Sequence, residues 1–104
     1  MQGDGPCYLL HCMDKEGHGD VRARTREAHL QWLIDSKRVH IGGPLQSPSD
    51  EDMGTVGTLL LVNGDDVDEV REWATGDPYV QAGLFSEMTV APLLEYNVPD
   101  LPEV

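Results

Sequence analysis

Arg22, Arg26 and His29 follow one another at steps of four and three residues, the spacing that lines side chains up along one face of a helix. At about 100° per residue they cluster with Leu33 within about 60°, beside Ala23, Leu30 and Ile34, while Arg24, Glu27, Gln31 and Asp35 take the opposite, polar side. Two cations and an imidazole therefore lie on or next to the stripe that must face a core. A buried cation is costly unless it meets a carboxylate, a carbonyl or a ligand, so a cleft is the simplest account. The plainer account has the arginines paired with carboxylates at a loop or subunit boundary and His29 as a hydrogen-bonded core histidine.

Asp77 is the natural partner for His29: it stands at a helix end, is held extended by Pro78, and is followed by the bulky, polar-tipped Tyr79. A carboxylate on one imidazole nitrogen fixes the tautomer and makes the other nitrogen a better base, so the pair suits proton abstraction. Arg22 or Arg26 would then hold a developing oxyanion, and Tyr79 would line the pocket. Asp77 can equally be an ordinary turn residue. His11, beside Leu9 on the first strand, could face the same cleft or be a satisfied structural histidine.

Other candidates carry less. His18 sits in a Gly-flanked loop and His40 in a strand near Arg38. The cysteines and histidines lack the tight paired spacing of a zinc site, and Gly17-His18-Gly19 and Gly42-Gly43-Pro44 lack the Lys and Ser/Thr of a phosphate loop. Neither a metal nor a cofactor is expected. Trp32 and Trp73 fall on helices and read as packing groups.

The elements that must position these residues follow from local pattern. Residues 7–13 form an apolar strand ended by the polar loop 14–19, and Asp20 can cap a helix from about Val21 to Ser36. Arg38–Leu45 reads as a second strand that stops at Gly42-Gly43-Pro44, and Gln46–Met53 as a polar turn region. Thr55–Val62 is a third strand. Asp66, with Glu69 three residues on, begins a second helix that ends at Gly76, and Phe85–Glu95 supplies the last strand. The order β-α-β-β-α-β is that of a ferredoxin-like α+β fold, an antiparallel sheet with both helices on one face.

These strands are apolar on both faces: Tyr8, Leu10 and Cys12 point one way and Leu9, His11 and Met13 the other. Two helices can cover only one face, so a homodimer packed through the bare face is expected. At 104 residues, 39% hydrophobic and 25% charged, the chain is one domain, residues 1–104, with its core at about 7–96 and a peripheral tail at 97–104.

A net charge of -12 disfavours nucleic acid and anionic membranes as partners and suits a solubilising surface. No apolar run of about 18 residues spans a membrane, and Met1–Pro6 lacks the basic and apolar regions of a signal peptide, so a cytoplasmic location is expected. Cys7 and Cys12, roughly 16 Å apart along one strand, cannot form a disulfide with each other.

The segments Tyr8-Leu9-Leu10-His11-Cys12-Met13-Asp14-Lys15, Arg22-x-x-x-Arg26-x-x-His29-Leu30, Gly42-Gly43-Pro44-Leu45 and Ala74-x-x-Asp77-Pro78-Tyr79-x-x-Ala82-Gly83-Leu84 together resemble the YciI-like family of the dimeric α/β-barrel superfamily. The resemblance runs from residue 7 to about 96. It implies a His and Asp active centre, here His29 and Asp77, in a cleft between helices and sheet. Some members of that family are dehydrochlorinases acting on chlorinated hydroxyhydroquinones, and neighbouring families include muconolactone isomerases and cofactor-independent monooxygenases. The resemblance thus points to a lyase or isomerase acting on a small molecule, the alternative being a non-catalytic dimeric module that binds a small anionic or phenolic ligand in the same cleft.

Overall fold

The computed structural model describes residues 6–48 and 54–94. Its elements are β1 (Cys7–Asp14), α1 (Gly19–Ser36), β2 (Val39–Gln46), β3 (Thr55–Asn63), α2 (Val67–Ala74), α3 (Pro78–Gln81) and β4 (Phe85–Leu93). The strands form one antiparallel sheet in the order β2-β3-β1-β4. This is the expected ferredoxin-like α+β arrangement, with the four-residue α3 added.

Strand alternation decides which side chains become core. Leu10 stands opposite Leu60 and Val90, and Tyr8 opposite Val62. These residues, with Cys12, pack against Val70 and Ala74 of α2 on the helical side of the sheet. The other parity brings Leu9 beside Leu61 and His11 beside Leu59, with Ile41 of β2 next to Leu61. On this second face Ile41 is 64% and Leu93 39% exposed. Cys7 and Cys12 are both buried thiols.

Several boundaries differ from expectation, each for a local reason. Asp20 does not cap α1: the helix begins at Gly19, His18 takes the cap position without a side-chain bond, and Asp20 pairs with Arg24 at 3.2 Å instead. β2 does not stop at Gly42-Gly43-Pro44 but runs through it, because β2 is an edge strand and the missing N–H of Pro44 costs no ladder bond there. A side chain at Gly42 would be crowded: a Cβ would lie 2.6 Å from Leu60 Cδ2 and 3.0 Å from the Leu59 carbonyl oxygen, so these neighbours would have to shift.

Asp66 caps α2 as expected, accepting from the Glu69 N–H at 2.8 Å, while the Glu69 carboxylate takes the Asp65 N–H and Arg38. The hydrogen bond from Arg38 holds the Glu69 carboxyl below its ordinary value. α2 closes at Ala74 rather than Gly76. Most of the polar turn read at Gln46–Met53 and all of the tail lie outside the described residues, and β4 is described as far as Leu93. Among the described residues no helix is long and apolar enough to cross a membrane.

Candidate active site

Two short pieces of chain meet here. α1 carries Arg22, Arg26 and His29, and the 4-residue α3 presents its cap, Asp77, and its first turn. Asp77 has extended backbone (φ -64°, ψ 126°) because Pro78 follows, and its Oδ1 accepts the Tyr79 N–H at 2.9 Å. The same Oδ1 accepts from His29 Nδ1 at 2.8 Å. His29 and Asp77 are each 4% exposed. A carboxylate oxygen only accepts, so Nδ1 carries the proton and Nε2 is the ring's basic nitrogen.

Tyr79 completes the support. Its ring stacks on His29 with centroids 3.9 Å apart, and the Arg22 guanidinium carbon lies 4.7 Å from the same ring's centre. Burial pushes the Tyr79 phenol above its ordinary range, against the opposing pull of Arg22 and Arg26.

The arginines, equivalent by helical spacing, are not equivalent in space. Arg22 Nε and Nη2 donate to the Asp14 carboxylate at 2.7 and 2.8 Å, and Nη2 also donates to Thr58 Oγ1 at 2.8 Å. Burial works against the Arg22 charge, but Asp14 outweighs it and holds the guanidinium more firmly protonated. Its charge is neutralised within the protein. Arg26 is exposed at the rim and, among the described residues, has no carboxylate within ion-pair distance.

A cavity of about 150 Å³ lies between α1 and the β2–β3 edge of the sheet, bordered by Arg22, Arg26, His29, Thr58, Leu60 and Tyr79 and walled by Gly42, Gly43 and Pro44. Among the described residues no fully buried side-chain nitrogen or oxygen lacks a hydrogen-bond partner. His29 Nε2 makes no hydrogen bond to protein there, so it is reached from the cavity. The arrangement is an imidazole with its tautomer fixed, bordering a small, mostly apolar chamber beside a cation that has no carboxylate partner among the described residues.

Of the expected site residues, Arg22, Arg26, His29, Asp77 and Tyr79 come together. His11 does not, because strand alternation places it on the opposite face of the sheet, between Leu59 and Thr89. His18 Nδ1 donates to the Glu16 carbonyl at 3.0 Å, and His40 Nε2 meets Asn63 Oδ1 at 2.6 Å. Trp32 stacks on Trp73 at 4.6 Å, as packing groups do. The cavity wall of Gly42-Gly43-Pro44 and the contribution of Thr58 and Leu60 were not assigned from sequence. Cys12 lies beneath the site, and burial, helped by Asp77 and Asp14, pushes its thiol up to about 12. Among the described residues no group of three or more His, Cys, Asp or Glu could hold a metal ion.

A family model described as the YCII-related domain matches residues 7–94. The chain belongs to the YCII-related family. Protein YciI of Escherichia coli O6:H1 is 30% identical over 91 residues, which cover 82% of this chain and 93% of that protein. An uncharacterized protein of Haemophilus influenzae is 28% identical over the same share of each chain. Among solved structures, this YCII-related chain is similar to 5-chloro-2-hydroxyhydroquinone dehydrochlorinase (TftG) from Burkholderia phenoliruptrix AC1100, in complex with 2,5-dihydroxybenzoquinone. That match has a TM-score of 0.73 and 28% identity, and covers 89% of this chain and 97% of TftG.

Proposed function

We propose that this YCII-related protein is a small-molecule enzyme of the lyase or isomerase type, in which His29 acts as general base on a single-ring phenolic or enolic substrate. Asp77 orients the imidazole, and Arg26 supplies the positive field for the oxygen that becomes charged. The observation that carries this reading is the 2.8 Å His29–Asp77 bond, which fixes the proton on Nδ1 and leaves Nε2 open to the cavity. An apolar cavity of about 150 Å³ accommodates one benzene-sized ring, so the chamber matches the class of ligand.

The likeness to TftG supports a dehydrochlorinase-type reaction. In the keto tautomer of a chlorinated hydroxyhydroquinone, removal of a ring-hydroxyl proton lets chloride leave with the C–Cl electron pair and yields a quinone. HCl is lost and the overall oxidation state is unchanged. The step asks for a base and for stabilised charge on oxygen, which His29 and Arg26 supply.

The test is chloride release from 5-chloro-2-hydroxyhydroquinone, together with a screen of other chlorinated diols, phenols and lactones. Turnover that requires His29 supports the proposal. Ligands that bind in the cavity without being turned over would favour a binding module instead. The working unit is inferred to be a cytoplasmic homodimer packed through the sheet face that carries half-buried Leu9 and Leu61 and exposed Ile41, the face away from the core helices.

A further inference from the structure

The chamber at His29 is bordered by one polar side chain that the proposed chemistry leaves idle. On β3 the residues facing the helices alternate as Thr58, Leu60 and Val62, and Thr58 is the polar member of that row, 3% exposed. A hydroxyl buried this deeply costs stability unless it is bonded. Its bond comes from Arg22, whose Nη2 donates to Thr58 Oγ1 at 2.8 Å.

That bond uses a lone pair of the hydroxyl and not its proton. A threonine hydroxyl keeps one O–H to donate whatever it accepts, and among the described residues nothing accepts the Thr58 proton. Thr58 and Arg22 both border the chamber, so a ligand there is the acceptor that this donor lacks. Arg22 also strengthens it. The guanidinium, held on Asp14 by bonds of 2.7 and 2.8 Å, draws electron density from Thr58 Oγ1, and hydrogen bonds that share an atom polarise one another. What Arg22 passes on through Thr58 is therefore a sharpened neutral donor, while its own charge stays on Asp14.

We propose that Thr58 is a substrate-binding residue of this site: its O–H donates to a ring oxygen of the substrate, the bond strengthens as that oxygen gains charge, and Thr58 keeps its proton throughout. Arg22 is the positioning residue behind it. This rests on the reading of the chamber as the reacting site. It makes the site selective for a ring bearing an acceptor oxygen over a ring of similar size without one.

Titrations with 4-fluorophenol and fluorobenzene, followed by fluorine NMR with the His29 ring signals recorded alongside, test it. Wild-type protein is expected to bind 4-fluorophenol about tenfold more tightly, the worth of one hydrogen bond to a donor otherwise left unpaired. The ratio of the two affinities should fall towards one in Thr58→Val and in Thr58→Ala, and recover in Thr58→Ser, each checked for folding by circular dichroism. If Thr58 only props Arg22, Thr58→Val weakens both probes alike and the ratio survives, which overturns the proposal; so does a wild-type ratio of one. If fluorobenzene shifts the His29 signals in either of those cases, only the Thr58 contact is wrong; if neither probe shifts them, the chamber reading falls and this proposal with it.

Discussion

Tyr79 lies face to face with His29, ring centroids 3.9 Å apart, while its own backbone N–H donates to the Asp77 oxygen that holds the His29 ring. One residue thus braces the imidazole from its face and, through Asp77, from its edge. Tyr79→Phe keeps both supports and should leave stability within about 1.5 kcal/mol of wild type. Tyr79→Ala removes a fully buried ring and should cost about 3–5 kcal/mol, with turnover falling as His29 loses its orientation. Urea unfolding and turnover measured on both variants check this; equal loss in the two would show that the hydroxyl, not the stack, matters.

Arg22 and Arg26 should separate structure from binding. Arg22 and Asp14 side chains are 11% and 9% exposed, so Arg22→Ala strands a largely buried carboxylate and should cost about 3–5 kcal/mol. Arg26→Ala touches no ion pair among the described residues and should change stability by no more than about 0.5 kcal/mol, while ligand affinity falls about tenfold or more. Urea melts and calorimetry on the pair give the comparison. The reverse pattern would mean that Arg22 is the anion-binding cation.

Cys12 predicts an alkaline limit to stability. Its thiol is raised from 9.0 to about 12 in the folded protein, so between those values the native state keeps a proton that the unfolded chain releases. Stability should therefore fall as pH rises above 9, by up to about 1.4 kcal/mol per pH unit, and show no contribution from this thiol below that. Cys12→Ala, though less stable throughout, should lose that part of the slope in urea melts from neutral to alkaline pH.

The bare sheet face predicts the assembly. Light scattering at micromolar concentration should give twice the 11.5 kDa chain mass, and Leu61→Lys or Ile41→Lys, which set a charge on that face, should give monomers. A well-folded wild-type monomer would remove the argument.

The sequence carried the helix face and the Asp77 partnership because both depend on neighbours close in the chain: helical spacing aligns Arg22, Arg26 and His29, and Pro78 forces Asp77 out of the helix. The capping of α2 by Asp66 was legible for the same reason. What sequence missed depends on contacts from afar. Helical spacing makes Arg22 and Arg26 alike, and only the folded chain brings Asp14 and Thr58 to one of them. The alternation of β1 was visible, but which parity faces the helices is a tertiary fact, and it put His11 on the wrong side. Gly42-Gly43-Pro44 looks like a strand end until β3 pairs with it, and α3, at 4 residues, is too short for any period to show.

His29 as the base is the central claim, and His29→Asn tests it most directly. The Asn amide can still donate to Asp77 as Nδ1 does, but it offers no basic nitrogen to the cavity. Turnover of 5-chloro-2-hydroxyhydroquinone, or of whichever compound the screen identifies, would be measured for wild type and variant beside their urea melts. The account predicts a loss of about 10²–10⁴-fold in turnover with the variant still folded; wild-type turnover in a folded His29→Asn protein would contradict it.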